Sequence, residues 1–323
     1  MNNKYRNRLA FSLLLNIIFG LALIIAVIAL LALPRSEQSP LDPEQDYVSV
    51  SRIQQAGVEH GASVELMQAL LDNWLVYRSD GQLVFQPLDS SVPLHDYDWN
   101  NLSHGADGDI DYYYSDGSRA LKGVDVSVYQ GDIDWEAVAA DGIDFAMLRA
   151  GYRGYGSGAL AEDEKFAANI AGATAAGLPV GAYFFSQAVS VEEMEQEVQM
   201  LLKAVEGYDI AYPLVLDMEE IYGQSSRIDG LSREQATELA QTFIKLVEEA
   251  GYQPMIYGNI KWLAARLDIG ELDGAHLWLA QYYQQPLFPY LFTIWQFSQS
   301  GQVDGIDHAV DLNICFYDYA AEQ

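Results

Sequence analysis

Tyr212-Pro-Leu-Val-Leu-Asp-Met-Glu-Glu220 is an apolar run that ends in two carboxylates two positions apart, Asp217 and Glu219. Tyr-Pro precedes the apolar core and a stretch rich in Gly and Ser follows it, which is typical of a buried strand. Strand side chains alternate between two faces, so Asp217 and Glu219 are expected on one face and Met218 on the other. The sequence therefore predicts two acids side by side at the end of a buried strand.

Two like charges this close repel each other. At about 6 Å and an effective dielectric constant of about 20, the repulsion is ~3 kcal/mol, or roughly a hundredfold in proton affinity. One carboxyl then keeps its proton near neutral pH, and a protonated acid beside an ionised one is what cleavage of a glycosidic bond requires. The same pair could instead cap a loop or bind a cation, and the pair alone does not decide between these uses.

From residue 123 onward, short apolar strands alternate with amphipathic helical stretches. This alternation predicts parallel strands with right-handed crossovers, and eight strands predict a barrel with catalytic groups at the C-terminal strand ends. The predicted strands are residues 123–129, 145–152, 179–186, 212–219, 253–257, 276–282, 292–297 and 310–316. The predicted helices are residues 135–140, 162–176, 191–205, 233–250 and 260–267. The expected fold is α/β, an irregular TIM-like (β/α) barrel with helices mainly between the first five or six strands.

Two further acids lie on the first and last predicted strands. Asp125 is in phase with Ser127 and Tyr129 on the first strand, and Asp311 shares a face with Asn313 on the last one. First and last strands are neighbours in a closed barrel, so Asp125 and Asp311 should lie close together. For either acid alone, pairing of a strand-end carboxylate with a backbone amide is the competing interpretation.

Length and composition limit the class of protein. A chain of 323 residues is long enough for one large domain and a smaller accessory unit. The net charge of −29 argues against a nucleic-acid partner, because binding a polyanion needs a concentrated basic face. The single cysteine, Cys315, excludes an internal disulfide. The histidines show no metal-ligand spacing, so neither a metal nor another cofactor is expected.

The N-terminus carries a second strong signal, an uncharged apolar run over residues 9–33. As a helix it would extend about 37 Å, enough to cross a hydrocarbon core of about 30 Å. Lys4, Arg6 and Arg8 precede it, so the positive-inside rule puts residues 1–8 in the cytoplasm and the catalytic domain outside. The alternative is a cleaved signal peptide and secretion. We favour an uncleaved signal-anchor at the cell membrane, because a signal-peptide core has only about 7–15 residues.

The rest of the chain divides by composition. Residues 34–46 are a polar linker containing proline. Residues 47–120 combine a small α+β satellite region with an acidic connector, and the predicted barrel occupies residues 121–323. In the satellite, Ser63 is expected to cap a helix that continues to Trp74, and a hairpin should turn at Asp80-Gly81. The helix would place Val64, Met67, Leu70 and Leu71 on one face.

A satellite of about 45 residues buries little surface. We therefore expect residues 47–92 to dock on the main domain or on a partner, for example a membrane protein. Residues 93–120 show no periodicity and are interpreted as a solvated connector.

Eight short motifs from residue 123 to residue 316 resemble, in order, those of family-25 glycoside hydrolases, muramidases that cut peptidoglycan. They are Gly-Val-Asp-Val-Ser…Gln-Gly-Asp-Ile-Asp-Trp, Phe-Ala-Met-Leu-Arg-Ala-Gly-Tyr, Gly-Leu-Pro-Val-Gly-Ala-Tyr-Phe-Phe, Tyr-Pro-Leu-Val-Leu-Asp-Met-Glu, Gln-Pro-Met-Ile-Tyr-Gly-Asn, Leu-Trp-Leu-Ala-Gln-Tyr, Trp-Gln-Phe and Val-Asp-Leu-Asn. One motif departs from the family, which usually has Tyr-His-Phe where this chain has Tyr183-Phe-Phe. That departure puts the cleft wall near Phe184 in doubt.

The resemblance implies roles for the four acids. Glu219 would be the general acid that protonates the leaving oxygen, and Asp217 would stabilise the 2-acetamido group of the substrate, the internal nucleophile. Asp125 and Asp311 would hold up the pKa of the acid and position water. The implied partner is the glycan strand of peptidoglycan, cut at the β-1,4 bond between N-acetylmuramic acid and N-acetylglucosamine.

Aromatic side chains are the expected platforms for the sugar rings, whose faces are apolar. The candidates by phase and strand position are Tyr183, Tyr257, Trp278, Tyr282 and Trp295, each of which could equally be packed in the core. A catalytically silent wall-binding or scaffold protein on the same barrel is the alternative function. The four acids favour the enzyme, because a binding protein has no need of several carboxylates that repel one another.

Overall fold

The computed structural model describes residues 49–79, 81–105, 108–221 and 223–321. The chain divides into two compact units between Leu88 and Asp89. The predicted membrane helix at residues 9–33, the tail before it and the linker at residues 34–46 lie outside the described residues. Within the described ranges, no helix is long and apolar enough to cross a membrane.

The described residues of the first unit, from residue 49 onward, form two helices and a hairpin. They are α1 (Val50–Glu59), α2 (Val64–Leu70), β1 (Trp74–Ser79) and β2 (Gln82–Pro87). The predicted cap is confirmed, because the Leu66 N–H donates to Ser63 Oγ at 3.2 Å. The predicted hairpin is confirmed too: β1 and β2 are antiparallel with Ser79 opposite Gln82, and Gly81 has a φ of 79°.

The predicted length of the second helix was wrong. Helix α2 ends at Leu70, and Trp74 begins β1 instead of ending the helix. Gln68 explains the early end, because its Nε2 donates to Trp74 O at 2.6 Å and its Oε1 accepts from the Val76 N–H at 2.9 Å. Leu70 is 42% exposed, whereas Val64, Met67 and Leu71 are buried as expected.

The second unit is a mixed α/β barrel. A small hairpin, β3 (Leu102–His104) and β4 (Ile110–Tyr112), precedes the barrel strands, and β7 (Leu160–Glu162) pairs at one edge. The eight barrel strands are β5 (Leu121–Val126), β6 (Phe145–Arg153), β8 (Val180–Phe185), β9 (Leu214–Asp217), β10 (Pro254–Asn259), β11 (His276–Ala280), β12 (Ile294–Gly301) and β13 (Val310–Cys315). Four helices lie between them: α3 (Trp135–Ala140), α4 (Phe166–Ala175), α5 (Val191–Val205) and α6 (Arg233–Glu249).

The predicted eight-stranded barrel is confirmed, including its irregular last third. Each barrel strand from β5 to β11 is parallel to the barrel strand that follows it, and the pairing of β13 with β5 closes the ring. After α6 the helical segments among the described residues are short, and one of them, the π-helix Trp262–Arg266, occupies the position of the predicted last helix. Parallel strands need cover on both faces, and here helices cover only part of the outside.

Strand β13 runs antiparallel to both of its neighbours. A final parallel strand would present its C-terminal end to the catalytic side, but this one presents its beginning. Asp311, the second residue of β13, pairs in register with Asp125 on β5. The reversal therefore puts Asp311 at the same barrel end as the C-termini of the parallel strands.

Some predicted element bounds were wrong by a few residues. Strand β5 ends at Val126, and Ser127 then caps a 3₁₀ turn over Val128–Gln130, so Ser127 and Tyr129 are not strand residues. Strand β9 ends at Asp217, before Glu219. Helix α4 begins at Phe166, because Leu160–Glu162 pairs with β6. In each case a hydrogen-bonding partner elsewhere in the chain decided where the element ended.

The interpretation of residues 93–120 as a solvated connector was wrong. The Tyr97 ring stacks on Phe316 with centroids 4.1 Å apart, and its hydroxyl donates to Phe292 O at 2.5 Å. The Trp99 ring contacts Phe292 and Trp295, with centroids 6.3 and 6.2 Å away. This aromatic layer covers the outer face of the barrel at β12 and β13, where the part of the chain that the structure describes supplies no helix.

We expect Tyr97→Ala to lower the free energy of unfolding by about 2 kcal/mol, because it removes a stacked ring and a hydrogen bond. Tyr113→Ala is the matched control: Tyr113 comes from the same segment and is 42% exposed. It should change stability by less than about 0.5 kcal/mol. Urea unfolding of both variants measures the difference, and equal effects would contradict the assignment of this segment as barrel cover.

Candidate active site

A cleft of about 860 Å³ opens at the C-terminal end of the parallel strands. All four predicted acids, Asp125, Asp217, Glu219 and Asp311, line it. They come from strands β5, β9 and β13 and from the loop after β9, segments far apart in the chain. A cleft of this size at this end of a barrel has the position and volume of a binding site for a small molecule or a short polymer segment.

The loop after β9 holds Asp217 and Glu219 on the cleft side. The Asp217 carbonyl accepts from the Ser186 N–H at 2.7 Å, and the Glu219 carbonyl accepts from Gln187 Nε2 at 3.3 Å. Met218 between them is 1% exposed and points into the core. The alternation predicted for a strand therefore continues past the strand end.

Glu220 faces solvent. Its carboxylate forms a salt bridge with Lys261 at 2.7 Å. Together with the Gln187 hydrogen bond, this contact anchors the loop on both sides of Glu219. The acid is thereby held in place without any direct constraint on its own carboxyl group.

Asp217 lies in an environment that disfavours its charge. It is 7% exposed, and its Oδ1 has no hydrogen-bond partner among the described residues. Burial, followed by the fields of Glu219 and Asp125, raises the pKa of Asp217, whereas the Arg149 guanidinium opposes that rise. An under-compensated carboxyl of this kind gains most when a donor or a positive charge arrives next to it.

Glu219 is set up as an acid. Burial and then the negative field of Asp125 raise its pKa to about 7. A carboxyl with a pKa near 7 holds a proton for much of the time at neutral pH and can still release it, which is the requirement for a general acid. Burial raises the pKa of Asp217 as well as that of Glu219, so this pair of carboxyls holds a proton near neutral pH.

The Asp125 carboxylate is held by two amides with fixed orientations. Gln296 Nε2 and Asn313 Nδ2 both donate to Asp125 Oδ2, at 2.9 and 2.8 Å. The other ends of these amides are also fixed: Gln296 Oε1 accepts from the hydroxyls of Tyr257 and Tyr282, and Asn313 Oδ1 accepts from Trp278 Nε1. The indole N–H of Trp278 can only donate, so Asn313 must turn its own N–H group toward Asp125.

Asp311 completes this arrangement from the neighbouring strand. Burial raises the pKa of Asp311 to about 9, and the charge of Asp125 and a hydrogen bond to it act in the same direction. Burial also raises the pKa of Asp125, but its hydrogen bonds with Asn313, Gln296 and Asp311 oppose that effect. The pair therefore shares one proton, with Asp311 as the donor and Asp125 as the ionised acceptor.

Four of the five predicted aromatic residues line the cleft: Tyr183, Tyr257, Trp278 and Tyr282. Of these, Tyr282 is 45% exposed, whereas Tyr257 and Trp278 are buried and present little more than an edge. The prediction that Trp295 is a platform for a sugar ring was wrong. It is fully buried against Trp99, and its neighbour Gln296 occupies the cleft side of β12 instead. Phe184, the site of the departure from the family motif, is 1% exposed and lies behind the cleft wall.

The sequence did not identify several cleft residues. Arg149, Gln296, Tyr129 and Tyr152 all line the cleft. Arg149 and Gln296 each interrupt an apolar run within their strand, a signal that could have marked them. Tyr129 lies in a turn, where no strand periodicity applies. Among the described residues, no group of three or more His, Cys, Asp or Glu side chains is arranged to hold a metal ion.

Comparisons with known proteins agree on one family. The model of glycosyl hydrolases family 25 matches residues 124–306. The uncharacterized protein YegX of Escherichia coli K12 is 32% identical over 206 residues, which cover 61% of this chain and 70% of YegX. Lysozyme M1 of Streptomyces globisporus is 27% identical over 208 residues, covering 61% of this chain and 68% of the lysozyme. The crystal structure of a bacterial lysozyme from Streptomyces coelicolor superposes with a TM-score of 0.54 at 27% identity, over 62% of this chain and 94% of that one.

We expect Asn313→Ala to lower the free energy of unfolding by about 2–3 kcal/mol, because it leaves the buried Trp278 N–H without a partner and removes one of the two amide hydrogen bonds to Asp125 Oδ2. It should also raise the pKa of Asp125. Asn100→Ala is the control, since Asn100 is exposed and hydrogen-bonds only to nearby Asp98. Urea unfolding and carboxyl chemical-shift titration test the two effects, and a neutral result for Asn313→Ala would refute the network.

Proposed function

Because the chain belongs to glycosyl hydrolase family 25, we propose that it cleaves the β-1,4 bond between N-acetylmuramic acid and N-acetylglucosamine in the glycan strands of peptidoglycan. The observation that carries this proposal is the convergence of four acids in one cleft, with the pKa of Glu219 raised to about 7. The lysozyme names of Lysozyme M1 and of the Streptomyces coelicolor structure support the same substrate class.

In the proposed mechanism Glu219 gives its proton to the leaving glycosidic oxygen. Asp217 accepts the N–H of the 2-acetamido group through its unpartnered Oδ1, which turns the acetamido oxygen toward the anomeric carbon. As that oxygen attacks and the glycosidic bond breaks, positive charge develops on the acetamido group. The charge favours the ionised form of Asp217, so the interaction is stronger in the transition state than in the ground state.

The second half of the reaction consumes water. Glu219, now ionised, removes a proton from a water molecule that attacks the anomeric carbon and releases the acetamido oxygen. Asp125 keeps the proton affinity of Glu219 high through its negative charge. Asp311 holds the shared proton of the Asp125–Asp311 pair, so the cleft carries less repulsion than four free carboxylates would create.

Identification of the new reducing end tests the reaction. Purified peptidoglycan is digested with the full chain, reduced with borohydride and hydrolysed, and the reduced sugar is identified. Reduced N-acetylmuramic acid supports the proposal. Reduced N-acetylglucosamine would show that the other glycosidic bond is cut, and binding without cleavage would indicate a silent wall-binding protein.

We expect Glu219→Gln to lower turnover by about 10²–10⁴-fold, because the amide keeps the shape of the side chain but has no proton to give. The wild-type enzyme should lose activity as the pH rises through about 7, where the acid ionises. Glu220→Gln is the matched control, since Glu220 is exposed and bonded to Lys261. Retention of more than a third of wild-type turnover by folded Glu219→Gln protein would refute the assignment.

The N-terminal sequence supports a location at the cell membrane, with the catalytic domain outside the cytoplasm. A tether raises the local concentration of a bound module to roughly the millimolar range. It would offset the repulsion between a protein of net charge −29 and an anionic envelope. The linker at residues 34–46 spans at most about 45 Å when extended, so cleavage is expected in wall close to the membrane.

Fractionation of cells that express the full chain tests this location. Most of the protein should sediment with membranes and resist extraction by salt, because an apolar helix is held by the hydrocarbon core and not by charge. N-terminal sequencing of the mature protein accompanies the experiment. Protein found mainly in the medium, with a new N-terminus near residue 34, would show instead that the segment is a cleaved signal.

A further inference from the structure

The cleft contains an exposed aromatic ring that the sequence did not single out. Tyr129 is 75% exposed, the highest exposure among the large apolar and aromatic side chains of the described residues, yet it lines the cleft that holds the acids. Leaving so much aromatic surface in water has no benefit for the free protein. The position and exposure of the ring suggest a surface that a ligand covers.

The ring is backed by a cation. The Arg149 guanidinium lies 5.2 Å from the centroid of the Tyr129 ring and 5.3 Å from that of Tyr152, so the cation contacts both rings. The Arg149 side chain is itself tied to Asp163, with Nε donating to Oδ2 at 2.7 Å. Contacts of this type are worth about 0.5–1 kcal/mol at exposed sites, enough to favour one orientation of the Tyr129 ring.

The backbone that carries Tyr129 is fixed by the same carboxylate. Asp163 Oδ2 also accepts from the Val128 N–H at 3.0 Å, and Ser127 and Gln130 form a capping box around the turn. Asp163 has a fully buried side chain. The ring is therefore presented from a rigid turn, and little conformational freedom is lost when something stacks on it.

Strand order shows where this ring lies relative to the acids. Arg149 and Tyr152 lie on β6, and Tyr282 follows β11. In the closed ring, β8, β9 and β10 separate β6 from β11 on one side, and β5, β13 and β12 separate them on the other. Strand β9 is the middle strand of the first group and ends at Asp217, two residues before Glu219. Strand β13 is the middle strand of the second group, and Asp311 is its second residue. A line drawn across the cleft from Tyr282 to Arg149 therefore crosses a line drawn from Glu219 to Asp311.

We propose that Tyr129, positioned by Arg149, is a stacking subsite for a pyranose ring of the glycan, on the opposite side of the scissile bond from Tyr282. This inference rests on the proposed function, because it assumes that the four acids mark the scissile bond. A glycan that passes between Glu219 and the Asp125–Asp311 pair then has one exposed tyrosine at each end of its path. Tyr129 binds the strand, and Arg149 is a positioning residue that acts through Tyr129.

Binding of an N-acetylglucosamine hexamer to the full chain in detergent, measured by calorimetry, tests the subsite without requiring catalysis. Tyr129→Ala should weaken binding roughly 3- to 10-fold, the usual range for one aromatic contact, whereas Tyr129→Phe should bind like the wild type. Tyr208→Ala is the control: Tyr208 is 38% exposed in the loop before β9, on the other end of the barrel. Unchanged binding by Tyr129→Ala, or no binding by the wild type, would overturn the proposal.

A double-mutant cycle tests the role given to Arg149. Arg149→Lys keeps the positive charge but loses the planar group that contacts the ring, so it should weaken binding without moving the pH dependence of activity. Combined with Tyr129→Ala it should add nothing, because both changes remove the same contact. Additive losses would show that Arg149 contacts the sugar independently and would overturn its positioning role.

The cleavage assay separates this proposal from the proposed function. On solubilised glycan strands, Tyr129→Ala should raise KM by a similar factor and leave kcat unchanged, because stacking far from the reacting bond acts equally in the ground and transition states. If the wild type binds the hexamer but cleaves nothing, and Tyr129→Ala binds the hexamer more weakly, the subsite stands and the proposed function is removed. Full cleavage with an unaltered KM in Tyr129→Ala would remove the subsite and leave the proposed function standing.

Discussion

Closure of the barrel through the antiparallel strand β13 is the constraint on which the site depends. Because β13 runs against both neighbours, its first residues lie at the catalytic end, and Asp311 pairs in register with Asp125. Removing two carboxylates from water costs several kcal/mol for each ion. The pair avoids much of that cost by sharing a proton. The remaining negative charge stays on Asp125, which two amides stabilise at 2.9 and 2.8 Å.

The amides connect this charge to the rest of the cleft. Gln296 is oriented by the hydroxyls of two tyrosines, and Asn313 by the indole of Trp278. A buried polar network of this kind is stable only when every member has its partner. One consequence reaches across the cleft, since the fixed charge of Asp125 raises the pKa of Glu219. The hydrogen bonds that hold the barrel interior together therefore also prepare the acid.

A second constraint acts on the outside of the barrel. Helices α3 to α6 follow the early strands, but β12 and β13 have no helix in the described residues. Tyr97 and Trp99 supply the missing cover by packing on Phe292, Phe316 and Trp295. The matched family model starts at residue 124 and does not include this segment. A chain that ends its barrel irregularly thus recruits residues upstream of the barrel to bury the exposed face.

Local patterns in the sequence determined the eight strands, most of the helices and the convergence of the four acids, because apolar periodicity and strand ends are properties of short segments. The same patterns failed where a distant partner decided the outcome. Trp295 and Gln296 exchanged their expected faces because the register of β12 is set by β11 and β13, not by local alternation. Residues 93–120 showed no hydrophobic periodicity because their aromatic rings pack on the outer surface of the barrel and do not form an amphipathic face of their own.

The sequence by itself therefore determined which four acids meet in one cleft and at which end of the barrel they lie. Only the tertiary structure decided how the acids divide the protons, because the proton affinity of a carboxyl depends on burial and on donors that arrive from other strands. It also decided which aromatic rings remain exposed to meet a ligand. Tyr129 is such a case: its exposure depends on a turn held by Asp163 and on the guanidinium of Arg149, which come from separate parts of the chain.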